Sequence, residues 1–389
     1  MNIKNSRKKS NSDFQSKIDC RVGIFGGGQL AQMMSLKAHE LGLKPIILSS
    51  ENDDPAALTT AFHFKANTED PKAIKNFLQE CDVCTFESEF LDGDLLDQLS
   101  RETGTPIYPH PQIMKQLQDR SSQKSLLESN KIPTAKHIDI YSLNDLKKAV
   151  ILFGPDLVIK KRRFGYDGNG TFFLNVKNSS DSNFWEKLIK NNPTGFIAEK
   201  KINFKNEKAI ILIRDQHRQI LTFPLVESKQ THARCDWVMG PVKHKKLSPL
   251  LKKLHLFLKK INYVGAIAFE LFDTGNELLV NEIAPRVHNS GHYSQNALEF
   301  DQFQLHIMAI SGWKLPKLNK LLSPGFAMVN LIGETINEFK ISSPINNHFH
   351  WYHKKQNRPG RKMGHINALA STPKLALSNA LRDRKKIQK

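Results

Sequence analysis

Apolar positions along the first hundred residues fall in short blocks whose spacing alternates between that of strands and that of helices. RVGIF (21–25) is a compact apolar run, GGGQ breaks it, LAQMMSLKAHELG carries apolar residues at helical intervals, and PIILSS follows. The order predicted is strand, glycine turn, helix, strand. Pro55, set among acidic residues in ENDDPAAL, predicts the start of another helix. VCTFE (83–87) reads as a further strand with a polar carboxyl end, and IYPHP (107–111) closes what reads as a parallel α/β domain.

Beyond it the pattern changes. QLQDRSSQKSLLESNKIPTA (116–135) predicts a charged helix ended by Lys131-Ile132-Pro133. From 150 to 285 the chain is β-rich, with LVIKKRR, GTFFLNV, GFIAEKK, KAIILIRD, ILTFPLVES, VGAIAFELF and ELLVNEIA as strands. SNFWEKLIKN, PLLKKLHLFLKKI and DQFQLHIMAISG read as helices, and 326–370 as short strands around the basic turn NRPGRKMGH. The division expected is a disordered basic tail (1–19), an N-terminal α/β domain (20–115), a central domain (116–295), a small β-rich C-terminal domain (296–372) and a second basic tail (373–389).

A chain of 389 residues with 39% hydrophobic content has room for two or three cores. It holds no run of eighteen apolar residues, so no membrane span is expected, and its basic N-terminus lacks the apolar stretch of a secretory signal. A cytoplasmic location is the default. The net charge of +19 raises nucleic acid as a partner. Residues 1–18 and 380–389, however, each carry five Lys/Arg against one Asp, and no nucleic-acid motif accompanies the rest. Anionic small substrates account for that remainder equally well. Cys81 and Cys84 form a CxxC without the second pair a zinc site needs, and read as small hydrophobes on a buried strand.

Chemistry concentrates in four places. Gly26-Gly27-Gly28-Gln29-Leu30-Ala31 fits a dinucleotide turn, with Glu51 somewhat late as the ribose acid. Lys160 precedes a loop, Gly165-Tyr166-Asp167-Gly168-Asn169-Gly170-Thr171, that reads as a phosphate-covering flap or a plain hairpin. The run KKRR before it argues against a purely structural turn. Glu270 and Glu282, with Asn281, sit inside apolar strands flanking the turn DTGNE; two carboxylates and an amide oxygen there suit Mg²⁺ shared with ATP phosphates. APRVHNSGHYS (284–294) follows them, dense in hydrogen-bonding groups. Lys354, Lys355, Arg358, Arg361 and Lys362 surround a Pro-Gly turn that either grips a phosphate or is a solvated charge run.

Together these residues resemble the ATP-grasp ligases. GGGQL, FE-x-E, QDR, GYDG-x-G, NEIAPR-x-HNSGH and RPGRK-x-GH, in order over roughly residues 20–370, resemble the 5-(carboxyamino)imidazole ribonucleotide synthases among them. The resemblance implies an α/β and α+β architecture: a Rossmann-like pre-ATP-grasp domain that binds substrate, a central ATP-grasp domain and a small β-rich C-terminal domain. It implies carboxylation of 5-aminoimidazole ribonucleotide by ATP and bicarbonate, through carboxyphosphate, with two Mg²⁺ ions, in a homodimer that passes its product to a separate mutase.

Carried over by position, Arg120 and Lys160 would meet ATP phosphates beneath flap residues 165–171, with Lys160, Tyr166, Asp167, Gly168 and Asn289 forming the catalytic set. Glu199, Lys200, Lys201 and Ile202 would be the strand whose backbone recognises adenine; Glu207 would hold the ribose, and Gln230, Asn281 and Glu282 would complete the nucleotide site. Glu270 and Glu282 would bind the metal. Gln29, Leu30, Glu87, Asn289 and Ser290 would face the ribonucleotide, and Lys355, Arg358, Arg361 and Lys362 its phosphate. Asn169 stands where the flap usually carries a basic residue, Gln230 where a His is expected, and Phe90 where an Asn follows the FE-x-E acids. A formate-using glycinamide ribonucleotide transformylase-like ligase and a non-catalytic nucleotide-binding scaffold remain as alternatives; an NAD dehydrogenase would leave Glu270, Glu282 and the flap without a role.

Overall fold

The computed structural model describes residues 19–165, 169–175, 182–333 and 339–387. Tyr166, Asp167 and Gly168 of the glycine loop, and the N-terminal tail up to residue 18, lie outside the described residues. Four parallel strands, β1 (Arg21–Phe25), β2 (Lys44–Ser49), β3 (His63–Lys65) and β4 (Val83–Phe86), form the first sheet in the order β3-β2-β1-β4. β1, β2 and β4 are apolar runs buried almost throughout, as a sheet covered on both faces requires. A Cβ on Gly23 would lie 2.5 Å from the Cys84 Sγ and 2.6 Å from the Cys81 Sγ, so both thiols act as packing groups against β1. The helix expected at Pro55 does not form; only a 3₁₀ turn, Ala57–Thr59, follows. Asp54 turns its carboxylate to the Glu51 amide instead of capping a helix.

The second sheet is antiparallel, with β5 (His137–Ile140), β6 (Asp156–Lys161), β7 (Thr171–Asn175) and β8 (Phe196–Lys200) in the order β5-β8-β6-β7. Leu157, Ile159, Phe196 and Ala198 pack with Leu146, Ala149 and Trp185 of two covering helices. Because side chains alternate along a strand, Lys160 and Glu199 point to the opposite face.

The third sheet has nine strands: β9 (Asn206–Arg214), β10 (Ile220–Thr222), β11 (Val226–Thr231), β12 (Arg234–Gly240), β13 (Gly265–Asp273), β14 (Leu278–Ala284), β15 (Gly325–Ile332), β16 (His348–Trp351) and β17 (Lys362–Ala370). Its order is β14-β13-β9-β11-β12-β15-β17-β16, with β10 beside β9. The expected division near residue 295 therefore crosses no gap between sheets, since β15 pairs with β12 from Trp237–Val329 to Gly240–Phe326.

The second basic tail is corrected: Pro373–Arg384 is a helix capped by Thr372, with Ala376, Ala380 and Asp383 buried. Its cationic residues are numerous enough to mask the apolar stripe of Ala376, Leu377, Ala380 and Leu381; Ala376 is fully buried, and the other three pack with Val329, Leu331 and Ile366. The Asp383 carboxylate accepts from the Asn346 and Asn347 amides, both at 3.0 Å, and from Lys386 at 2.6 Å. Burial would raise this carboxyl group, but those donors hold it below its ordinary range. Its contribution to stability is therefore present above the usual carboxylate pKa and lost as acid titrates it. Asp383→Ala should cost about 1–3 kcal/mol at neutral pH, and less at pH 3, by urea denaturation.

Candidate active site

The face of the second sheet that carries Lys160 and Glu199 looks across a cleft to β13 and β14. Lys160 Nζ donates to Asn281 Oδ1 at 2.9 Å and lies 2.7 Å from Glu199 Oε2. The other carboxylate oxygen of Glu199 is 2.8 Å from the ammonium of Lys124, on the helix Arg120–Ser129. Burial alone would raise the Glu199 carboxyl, but Lys160 and Lys124 hold it down at about 2. At the start of the same helix, Arg120 donates to both oxygens of Glu282 at 2.9 and 3.1 Å and to the carbonyls of Lys161 and Gly165 at 3.0 and 3.2 Å. A Cβ at residue 165 would sit 2.5 Å from Arg120 Nη1 and 3.0 Å from the Asn169 carbonyl oxygen, so a larger residue there would displace the Arg120 guanidinium.

Glu270 and Glu282 are register partners across β13 and β14, with an irregularity directly after Glu270. Burial raises the Glu270 carboxyl to about 7, with the charges of Glu282 and Glu207 adding to it. His288 Nε2 is 3.5 Å from its Oε1. Glu282 is thus matched by Arg120 while Glu270 faces mostly negative neighbours. Two carboxylates and the Asn281 amide oxygen fit Mg²⁺, a hard cation that takes oxygen ligands. Among the described residues no group of three or more His, Cys, Asp or Glu could hold a metal alone. An ion here would need ligands from water or phosphate, which agrees with sharing it with a nucleotide.

Glu207, Gln230, Leu271 and Phe272 line a pocket beside Glu270 and Asn281, and Phe204 stacks on Phe272 at 4.5 Å. Gln230 follows a bulge in β11, and burial raises the Glu207 carboxyl. Lys200 ends β8 with its amide bonded to the Lys136 carbonyl, and Lys201 and Ile202 lead out toward β9. Thr171 pairs with Lys160, and the Lys161 amide donates to the Gly170 carbonyl, so Asn169, Gly170 and Thr171 close a β6–β7 hairpin. Arg162 and Arg163 of KKRR both bind Asp119, so half of that run anchors the base of the loop.

The glycine turn is filled from within. The Gly28 and Ala31 amides donate to the two oxygens of Glu87 at 2.5 and 3.1 Å. Gly26 has φ +103°, and a Cβ there would lie 2.6 Å from Glu87 Cγ. The anion at this helix N-terminus is the protein's own carboxylate. The Glu87 carboxylate is thus engaged by the turn while Glu87 itself stays partly exposed, the Leu30 side chain is buried in the core, and Gln29 begins the helix half-buried.

Across from the turn, Lys355 pairs with Asp53 at 2.7 Å, which joins the basic segment to the loop after β2. Arg358 and Arg361 bind the side chain and carbonyl of Gln356, at 2.8 and 3.0 Å. Lys362 opens β17, with its charge felt at Glu270 and His288. Asn289 and Ser290 are buried: the Asn289 amide pairs reciprocally with Asn330 at 3.1 and 2.7 Å, and Ser290 Oγ lies 2.9 Å from His288 Nδ1. Both therefore shape the 288–292 loop from inside. Sequence reasoning missed Lys124, Asn330 and the pair Arg286–Glu89, whose second bond is 3.1 Å. Glu89 stands in FE-x-E and Arg286 in the polar loop, so each had a signal but neither disclosed its partner.

Family models match the chain in three consecutive stretches: the ribonucleotide synthetase preATP-grasp domain over 20–118, the ATP-grasp domain over 125–303 and the phosphoribosylaminoimidazole carboxylase C-terminal domain over 327–379. The N5-carboxyaminoimidazole ribonucleotide synthase of Staphylococcus aureus (strain COL) is 33% identical over 358 residues, 91% of this chain and 94% of that protein. The chain belongs to the N5-carboxyaminoimidazole ribonucleotide synthase family. A Staphylococcus aureus synthetase of this family complexed with ADP matches with a TM-score of 0.87 at 31% identity, covering 96% of this chain and 99% of that one. The Aspergillus clavatus synthase, solved with ADP and 5-aminoimidazole ribonucleotide, matches at 0.82 and 27% identity, covering 95% and 100%. As a member of this synthase family the chain is an ATP-grasp ligase.

Proposed function

We propose that this protein carboxylates 5-aminoimidazole ribonucleotide with ATP and bicarbonate, releasing ADP and phosphate. The observation that carries the reading is the position of Arg286, bonded to Glu89 and within the fields of both Glu282 and Glu87. One cation thus stands between the lysine–carboxylate cleft and the glycine turn, where a nucleotide half-site and a ribonucleotide half-site would adjoin.

The γ-phosphoryl group of ATP would pass to a bicarbonate oxygen, with ADP leaving. The carboxyphosphate formed would give its carbon to the exocyclic amine: an N–C bond forms, a C–O bond breaks and phosphate departs. Lys160 and Arg120 would bind phosphate oxygens, and loop 165–171 would cover them, with the remaining nucleotide and ribonucleotide contacts as read from the sequence. Positioning and exclusion of water are the protein's main contributions, because carboxyphosphate hydrolyses readily. Glu270, Glu282 and Asn281 would hold Mg²⁺, which supplies neutralisation of phosphate charge. The same reading makes the enzyme cytoplasmic and homodimeric, with its product taken up by a separate mutase; no described helix is long and apolar enough to cross a membrane.

Purified protein should release phosphate from Mg-ATP only when 5-aminoimidazole ribonucleotide is added, and bicarbonate should be needed for carboxylated product. Phosphate release indifferent to the ribonucleotide would defeat the assignment, and no turnover by folded protein would favour a binding scaffold. A proton on Glu270 competes with the ion, and this group titrates at about 7. The Mg²⁺ concentration for half-maximal rate should therefore rise about tenfold between pH 8 and pH 6.

A further inference from the structure

Lys124 is the least exposed lysine or arginine among the described residues, at 1%, and nothing in the reaction above uses it. Its ammonium donates to Thr134 Oγ1 at 2.7 Å and reaches Glu199 Oε1 at 2.8 Å. Glu199, itself 2% exposed, offers its other oxygen to Lys160. One buried carboxylate is therefore shared by two ammonium groups, and the cluster carries a net positive charge. Buried unbalanced charge is costly unless a counter-ion arrives.

Take Lys124 away and the balance changes. Glu199 would then be neutralised by Lys160 alone, the pair would be tighter, and that pair would offer an arriving polyanion no net charge. Burial pulls the Lys124 ammonium below its ordinary value, Glu199 opposes this and Lys160 adds to it. The low value of Glu199 depends on both cations being present.

We propose that Lys124 is a positioning residue for nucleotide binding: by neutralising Glu199 from behind, it leaves the charge of Lys160 available to the phosphates of ATP. This rests on the reading that Lys160 meets those phosphates. A purely structural Lys124, a post between helix 120–129 and β14, would have no reason to act through Glu199.

Calorimetric binding of Mg-ATP, with steady-state kinetics, separates the two. Lys124→Met, close in length, should weaken ATP binding and raise its KM about tenfold, the scale of coupling between charges in contact, with kcat changed less than about threefold. In the Glu199→Gln background the same substitution should change ATP affinity by less than about threefold, because the group it acts through is already neutral. Unchanged affinity in Lys124→Met, or equal losses in the two backgrounds, overturns the proposal. Should the single variant not fold, Glu199→Gln with and without Lys124→Met decides: affinities within about threefold support it and a gap of about tenfold overturns it. Lys160→Met tests the parent reading separately; if it leaves ATP affinity intact, that assignment fails whatever Lys124 does.

Discussion

Glu282→Gln should leave the protein folded and lower kcat by about two to three orders of magnitude, the scale on which one preorganised charge acts in such a site. Glutamine keeps an acceptor for Arg120, which otherwise would be a buried guanidinium with its main partner gone. The helix beginning at Arg120 should therefore stay in place, and circular dichroism and melting should change little. What the substitution removes is one of the two carboxylates facing each other across β13 and β14. The neighbouring Glu270 should also become easier to ionise, since Glu282 is the largest charge raising it after burial. A weaker site with a less hindered proton gives a characteristic result: low kcat with a shallower dependence of Mg²⁺ requirement on pH. Turnover near that of the unaltered protein would remove Glu282 from the metal site.

Glu87→Ala should act at the other half of the site. It strips the carboxylate from the amides of Gly28 and Ala31 and leaves the space inside the glycine turn unfilled. Hydrogen bonds to a charged group contribute about 1.5–3 kcal/mol each, and part of that loss will appear as lower thermal stability. The remainder should appear as a fall of about 30- to 100-fold in kcat/KM for the ribonucleotide, because the turn is no longer held in one shape. The KM for ATP should hardly move, as neither Lys160 nor Arg120 touches the turn. Equal losses for both substrates would mean that Glu87 serves the whole fold rather than this half-site.

The alternation of apolar residues made most strands legible, and it put Glu270 and Glu282 on neighbouring strands around DTGNE. That reading needed only local geometry: a hairpin turn fixes which residues face each other. The occupant of the glycine turn was not legible, because Glu87 comes from fifty-nine residues beyond Gly28. The same holds for Lys124 with Glu199 and for Asn289 with Asn330; periodicity tells which way a side chain points, not what comes to meet it. The C-terminal helix was hidden differently. Its cations dominated the composition while four small or apolar positions did the packing, a case of charge density outweighing pattern. Asp54 shows the opposite failure, where a sound helix-start signal lost to a carboxylate already engaged by a turn amide.

The pairing of β12 with β15 makes the molecule hard to divide. A fragment stopping before β15 would present the Trp237–Gly240 edge of β12 to solvent, and the missing piece would carry the matching edge of β15. Each half would then be a template for stray strand addition, the situation sheet proteins usually avoid by covering or charging their borders. Val238, Met328 and Val329 on these strands are fully buried, so the two raw borders are greasy as well as unpaired. Nature could therefore lengthen the loops of this protein far more readily than it could part its last third from the rest.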